Sequence, residues 1–257
     1  MTSQDQLSGT TLSGTTALVT GASRGFGRAI ATTLAQAGAH VVAVARDRAL
    51  LAELRAELGE HGTVVAADVT DPVVAGALLD AHRPRTLVLT AGAAPLSRPL
   101  HHHTWETFSR NWEVDVQQAF HWTREALLQP LEPGSTVIAF SSGAALFGSP
   151  VSGGYAGAKA TIRFLTGYAA DESQREGLGI RFISVLPQLT PDTDLGAHAV
   201  AAYAAREGMA VPEFLATRGP ALTRAQVGAA VARLAEKDGG DPGAYLLSAA
   251  GLKPVDS

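Results

Sequence analysis

The stretch "SSGAALFGSPVSGGYAGAK" (141–159) holds residue types suited to proton transfer. Tyr155 and Lys159 stand four residues apart, so on a helix they share one face. A free phenol ionises near pH ~10. A neighbouring ammonium favours the phenolate by charge, which brings such a pair within reach of acid–base work near neutrality. Ser142 lies 13 residues before Tyr155, just after the apolar run "STVIAF" (135–140). Ser141 is adjacent, but its side chain should project differently and it ranks second.

A second pattern sits near the N-terminus. "LVTGASRGFGRAIA" places Gly21, Gly25 and Gly27 between an apolar run and a helical stretch. Glycines at a strand-to-helix junction let the backbone approach a pyrophosphate, and the helix N-terminus adds N–H donors and a favourable dipole. A glycine triplet alone is weak evidence; a preceding strand and a following helix are the context that gives it meaning.

These groups need a scaffold. Short β-branched runs at 16–20, 40–45, 63–68, 86–90, 135–140, 180–187 and 243–248 alternate with helical stretches at 25–37, 47–59, 72–82, 105–129, 153–175 and 223–236. Strict alternation predicts βαβ units and a parallel sheet with helices on both faces. The strands are apolar throughout, as doubly covered strands are. One domain spanning 1–257 is the simplest organisation, with 1–13 a loose leader. Residues 188–222 break the rhythm with three prolines. A long excursion beside a sheet edge reads as a substrate loop or lid.

The spacing TGxxxGxG resembles the short-chain dehydrogenase/reductase superfamily, and the resemblance extends over nearly the whole chain. It implies an α/β fold: a doubly wound, Rossmann-like parallel sheet of seven strands. It implies a nicotinamide cofactor near Gly21, Ser23, Arg24, Gly25, Phe26 and Gly27, with Asp68 and Val69 of "AADVTD" approaching the adenine. Ala91, Gly92 and Pro187 would line the rest of the cofactor's path. It also implies roles for the first pattern. Tyr155 would protonate the substrate oxygen, Ser142 would donate a hydrogen bond to it, and Lys159 would bind the nicotinamide ribose. The expected reaction is carbonyl reduction, or the reverse alcohol oxidation, on a small-molecule substrate.

The second strand ends "VAVARDR". An acid at its tip would accept the ribose hydroxyls of NAD and repel a 2′-phosphate. The resemblance to the family implies that Ala45 holds that position, and Arg46 follows it. A guanidinium matches a phosphate with two parallel hydrogen bonds, and Arg24 adds a second cation on the same side. The expected cofactor is therefore NADP(H).

Several features depart from the family pattern. "EVDVQQAF" (113–120) aligns with a family segment in which an Asn kinks the fourth helix and holds a water near the lysine. Asp115 takes that position. It also falls on an apparent apolar stripe of Trp105, Phe108, Trp112, Ala119, Trp122 and Ala126. A carboxylate on such a face needs a partner, and Lys159 is the expected one. The family's NNAG is "LTAG", so Leu89 and Thr90 replace two asparagines and the sheet-bridging bonds of the first are in doubt. Gln188 replaces a glycine after Pro187, and the C-terminal strand reads "LSAAGLKP".

Composition excludes other classes. The 257 residues carry a net charge of −4, with 20 basic and 24 acidic side chains, which gives no case for nucleic acid or an anionic membrane. With no cysteine there are no disulfides or thiolate ligands, which suits a cytoplasmic protein. The polar start lacks a signal-peptide pattern, and no apolar run is long enough for a bilayer. "HHHTW" (101–105) is read as solvated surface, since adjacent histidines point apart, so no metal is expected. The family's pairing of its fourth and fifth helices makes a homodimer or homotetramer the expected assembly. Two alternatives stand beside the reductase: a non-redox epimerase, dehydratase or cyclase using Tyr155 and Asp115, and a catalytically silent NADP-binding protein.

Overall fold

The computed structural model describes residues 12–236, 241 and 243–255. The expected leader lies outside them, except that Leu12 is buried and its N–H donates to Ala37 O.

Eight strands form one sheet in the order β3-β2-β1-β4-β5-β6-β7-β8. They are β1 (Thr16–Thr20), β2 (His40–Ala45), β3 (Gly62–Ala66), β4 (Thr86–Leu89), β5 (Thr136–Phe140), β6 (Arg181–Pro187), β7 (Gly243–Ser248) and β8 (Gly251–Val255). The first seven are the expected parallel strands. The eighth turns back antiparallel on β7. Its apolar run is broken by Lys253 and Pro254, and proline is tolerated there because β8 is an edge strand.

Helices α1 (Gly25–Gln36), α2 (Arg48–Leu58) and α3 (Pro72–His82) follow β1 to β3. Next come α4 (Trp105–Asn111), a π-helical turn (Trp112–Val116) and α5 (Gln117–Leu128). Then follow α6 (Ala144–Phe147), α7 (Gly153–Arg175), α8 (Asp194–Glu207), α9 (Val211–Ala216) and α10 (Arg224–Ala235). Strand side chains alternate between two cores, as a period of two requires. Ala17, Val19, Val41 and Ala43 pack with Ile30, Leu34, Leu54, Val227 and Val231 on the α1/α2/α10 side. Leu18, Val42 and Val44 pack with Leu79, Trp122, Ile162 and Ala169 on the α3/α5/α7 side. Trp122 is fully buried and donates its indole N–H to Val69 O at 2.9 Å.

The strand order reverses between β1 and β4, and ligands of such sheets sit at the carboxyl ends beside that switch point. The apolar stripe expected along 105–129 holds only in its second half. Ala119, Trp122 and Ala126 are buried, but Trp105 is 76% exposed and Trp112 39%. The π turn inserts extra chain at 112–116 and shifts the phase of the helix before it. Asp115 stays inside, 1% exposed.

Candidate active site

Strand β5 delivers the two serines, and they part company. Ser141 is buried and donates its hydroxyl to Lys159 O at 2.7 Å, fastening α7 to the strand end. Ser142 is half-buried, and its Oγ accepts from Ala144 N–H at 3.2 Å in the first turn of α6. The expectation that the neighbours project differently is what the chain adopts. Tyr155 and Lys159 share one face of α7, with the ammonium 5.5 Å from the centre of the phenol ring. Among the described residues no side chain bonds to the Tyr155 hydroxyl.

Lys159 is buried, and Nζ donates to Phe140 O at 3.0 Å. Its other close partner is Asp115, with Oδ2 3.1 Å from Nζ. That contact is one of charge, because no donor hydrogen is aligned on Oδ2. Oδ1 accepts from Ala93 N–H at 2.8 Å and from Asn111 Nδ2 at 3.3 Å. Asn111 is itself buried and also donates to Ala93 O at 2.7 Å. Burial is the largest single influence on Lys159 and pushes its pKa down. The Asp115 carboxylate pushes it up, as does any negative charge on the Tyr155 oxygen, and the net direction is upward. Gly92 makes room for the pair, since a Cβ there would lie 2.8 Å from Asp115 Oδ2.

The glycine turn follows β1 and opens α1. Gly21 and Gly25 adopt φ of 67° and 58°, a region costly for side-chain-bearing residues. A Cβ on Gly27 would stand 2.3 Å from Gly21 O, so α1 approaches the strand as only glycine allows. Arg24 caps α1 without a side-chain bond, and no acid occupies the first turn. The N–H groups of that turn are thus left for an anion, which fits a nucleotide pyrophosphate. Ser23 is buried beneath the turn, and Phe26 packs 6.3 Å from Phe140.

At the expected adenosine end, Ala45 closes β2 and Arg46 is exposed beyond it. Neither Arg24 nor Arg46 has an ion-pair partner among the described residues. Asp68 accepts from Thr70 N–H and its hydroxyl, and these bonds hold its carboxyl below the usual range, with a smaller contribution from Arg46. Val69 is buried under Trp122. At the other end Pro187 O accepts from Gly143 N–H at 2.9 Å, tying β6 to the Ser142 segment. Gln188 is exposed.

The bridge between β1 and β4 has a different chemistry from the asparagine of the family pattern. The Thr90 hydroxyl donates to Thr20 O, and Thr90 N–H donates to the Thr20 hydroxyl at 3.1 Å. Gln118, 1% exposed, accepts from the Thr20 hydroxyl and donates to Ala91 O at 3.0 Å. Leu89 simply joins the core. The sequence reading missed Gln118 and Asn111. The signal was there: both are amides within four residues of Asp115 on one helical face.

Residues 188–222 form two helices rather than one short piece. Val200, Ala204 and Phe214 make a small core of their own. Thr193 caps α8 and lies 3.8 Å from where a Cβ of Gly25 would sit, so the excursion reaches over the glycine turn. Tyr203 donates to Ser149 Oγ at 2.5 Å, which joins α8 to the α6–α7 loop. His101 and His102 are exposed, while His103 meets Thr107 at 3.1 Å. Among the described residues no cluster of His, Asp and Glu suited to a metal ion occurs.

A sequence profile of the short chain dehydrogenases matches residues 15–204. The chain belongs to the short-chain dehydrogenases. Like other members, this short-chain dehydrogenase has curated relatives at moderate identity. It is 35% identical over 173 residues to an "inactive 2-(S)-hydroxypropyl-CoM dehydrogenase 2" of Xanthobacter autotrophicus, covering 65% of this chain and 74% of that one. It is 34% identical over 192 residues to the short-chain dehydrogenase/reductase FrzI of Cladobotryum sp, covering 70% and 71%. Among solved structures it resembles an NAD+-bound xylitol dehydrogenase, with a TM-score of 0.82 and 20% identity over 92% of this chain and 98% of the other. A 3-ketoacyl-(acyl-carrier-protein) reductase from Brucella melitensis complexed with NADH gives 0.73 and 24% over 90% and 95%. Those identities speak to the fold alone. The family match ends inside the excursion, so α9, α10 and the β7–β8 hairpin lie beyond it.

Proposed function

We propose that this short-chain dehydrogenase reduces a small-molecule carbonyl compound with NADPH, using Tyr155 as the proton donor. The observation that carries the reading is the Tyr155–Lys159 pair on one face of α7, fastened to the end of β5 where Ser142 emerges. When bound, a reduced nicotinamide supplies the hydride. Ser142 orients the carbonyl oxygen, and the Tyr155 O–H delivers the proton to it. Lys159 holds the ribose and biases the phenol by charge. Gly21, Gly25, Gly27 and the first turn of α1 receive the pyrophosphate, with Asp68 and Val69 toward the adenine.

NADP is favoured over NAD by Ala45 in place of an acid and by the free charges of Arg24 and Arg46. The two structural relatives hold NADH and NAD+, so the choice rests on this chain's own residues. Thermal melting decides it: NADPH should raise the melting temperature more than NADH, and Arg46→Ala should shrink the gap. Equal shifts would refute the cofactor assignment. NADPH consumption over a panel of ketones, with Tyr155→Phe as control, tests the reaction; tight NADPH binding without any turnover would sink it.

The non-redox alternative draws less support from Asp115, because Oδ1 accepts two hydrogen bonds and Oδ2 faces the Lys159 ammonium at 3.1 Å. The exposed apolar side chains Phe120, Phe164 and Tyr168 on α5 and α7 favour pairing with a second copy. No helix of the described residues is long and apolar enough to cross a membrane. The cysteine-free composition supports a cytoplasmic setting.

A further inference from the structure

The family pattern puts a neutral amide beside the lysine, so the ammonium acts on the phenol as a lone cation. This chain puts an anion there. Asp115 Oδ2 is 3.1 Å from Lys159 Nζ, with both side chains out of solvent. The other oxygen is pinned by Ala93 N–H and Asn111, and the missing Cβ of Gly92 is what makes room for Oδ2. The carboxylate cannot swing away without breaking those bonds. Few other charges bear on this end of the site. Glu113 turns back to Ser109 Oγ at 3.0 Å, and His103 is held by Thr107 on the loop before α4. Among the described residues, Lys159 on Tyr155's own helix and Asp115 on the π turn are the charges coupled to the phenol's surroundings.

We propose that Asp115 is a charge-compensating positioning residue: it makes Lys159 half of a neutral pair, weakens the positive field that would favour the Tyr155 phenolate, and so favours the phenol, the form that reduction uses. This rests on the reductase reading above. A monopole beside the phenol becomes a dipole, whose field falls off faster with distance. In reduction, hydride from the reduced nicotinamide adds to the carbonyl carbon and breaks the C=O π bond. The phenolic O–H of Tyr155 breaks, and its proton forms the new O–H of the alcohol. That step needs the phenol. Alcohol oxidation needs the phenolate as base, and compensation moves it to more alkaline pH.

The test is a tyrosinate absorbance titration of the cofactor-free protein, in wild type and in Asp115→Asn. Each titration is corrected with its Tyr155→Phe counterpart to isolate one of the four tyrosines. The Tyr155 signal should rise at a lower pH in Asp115→Asn than in wild type. A midpoint that does not move, in a variant that melts cooperatively, overturns the proposal. Should Asp115→Asn fold poorly, Asp115→Ser replaces it in the same titration, and an unmoved midpoint there overturns the proposal. A purely structural Asp115 would alter melting without moving either midpoint. Because the titration uses no cofactor or substrate, its outcome is separate from failure of the reductase reading, which would appear as absent carbonyl turnover.

Discussion

Lys159→Met removes the cation and leaves the Asp115 carboxylate buried. Breaking a buried ion pair from one side costs about 3–5 kcal/mol, because the remaining charge loses its partner but stays out of water. Here the lower end applies. Asp115 Oδ1 keeps the Ala93 N–H at 2.8 Å and the Asn111 amide at 3.3 Å, so only Oδ2 is stranded. In a chain of this size each kcal/mol moves the melting temperature by about 2–4 °C, so roughly 3 kcal/mol predicts a fall of about 6–12 °C. The double variant Asp115→Asn/Lys159→Met removes both charges and should recover most of that fall. The assay is calorimetric melting of the cofactor-free protein at pH 7, completed as a double-mutant cycle. The pH dependence adds a sign. Lys159 is raised above its ordinary value of 10.5. The pair's contribution is therefore complete below about pH 10.5 and is lost as pH rises through the folded value. The gap between wild type and Lys159→Met should stay level through neutral pH and close only at strongly alkaline pH. A single variant as stable as wild type, or a double variant as unstable as the single, would refute the reading of Asp115 as a paired buried anion.

Three further outcomes follow from contacts already described. Gly27→Ala drives a methyl group to 2.3 Å from Gly21 O and 2.8 Å from Thr90 Oγ, so NADPH-induced stabilisation in thermal melts should disappear. Gln118→Leu strands Ala91 O and leaves the Thr20 hydroxyl, as a donor, only its longer bond to Val88 O at 3.4 Å, at a cost of about 1–3 kcal/mol by denaturant unfolding; an unchanged midpoint would refute a structural role for the amide. Phe164 and Tyr168 stack 6.4 Å apart on the exposed face of α7, so under the proposed pairing with a second copy Phe164→Glu should bring the mass in light scattering to that of one chain while the fold persists; an unchanged mass would refute that face as the interface.

The parallel sheet was legible because doubly covered strands are apolar throughout, and βαβ alternation admits few topologies. The eighth strand was not, because Lys253 and Pro254 interrupt the pattern that marks a strand and only an edge position tolerates them. The excursion at 188–222 was legible as an interruption. Its two helices close a private core of Val200, Ala204 and Phe214, and the packing of one short helix on the next is not written in the period of either.

The site divides along the same physical line. Tyr155, Lys159 and the glycines are legible as candidates because their spacing encodes a helix face or a turn directly. Asp115 was found by alignment, and the reason it is tolerated lies elsewhere. Period 3.6 reasoning draws one stripe from Trp105 to Ala126, and under it Asp115 is an anomaly among apolar residues. The π turn divides that stripe. Before it, Trp105 is left in solvent and Asn111 comes inside; after it, Ala119, Trp122 and Ala126 fill the core. Asp115 sits within the turn itself, where the widened backbone brings it against Gly92, Ala93 and Lys159. The anomaly of composition and the anomaly of helix geometry are therefore one feature. An anion at position 115 requires Asn111 one turn earlier, a glycine at 92 and a lysine on a separate helix. Only the last of these is written as a motif, which is why the partners of the lysine were the hardest part of the site to read.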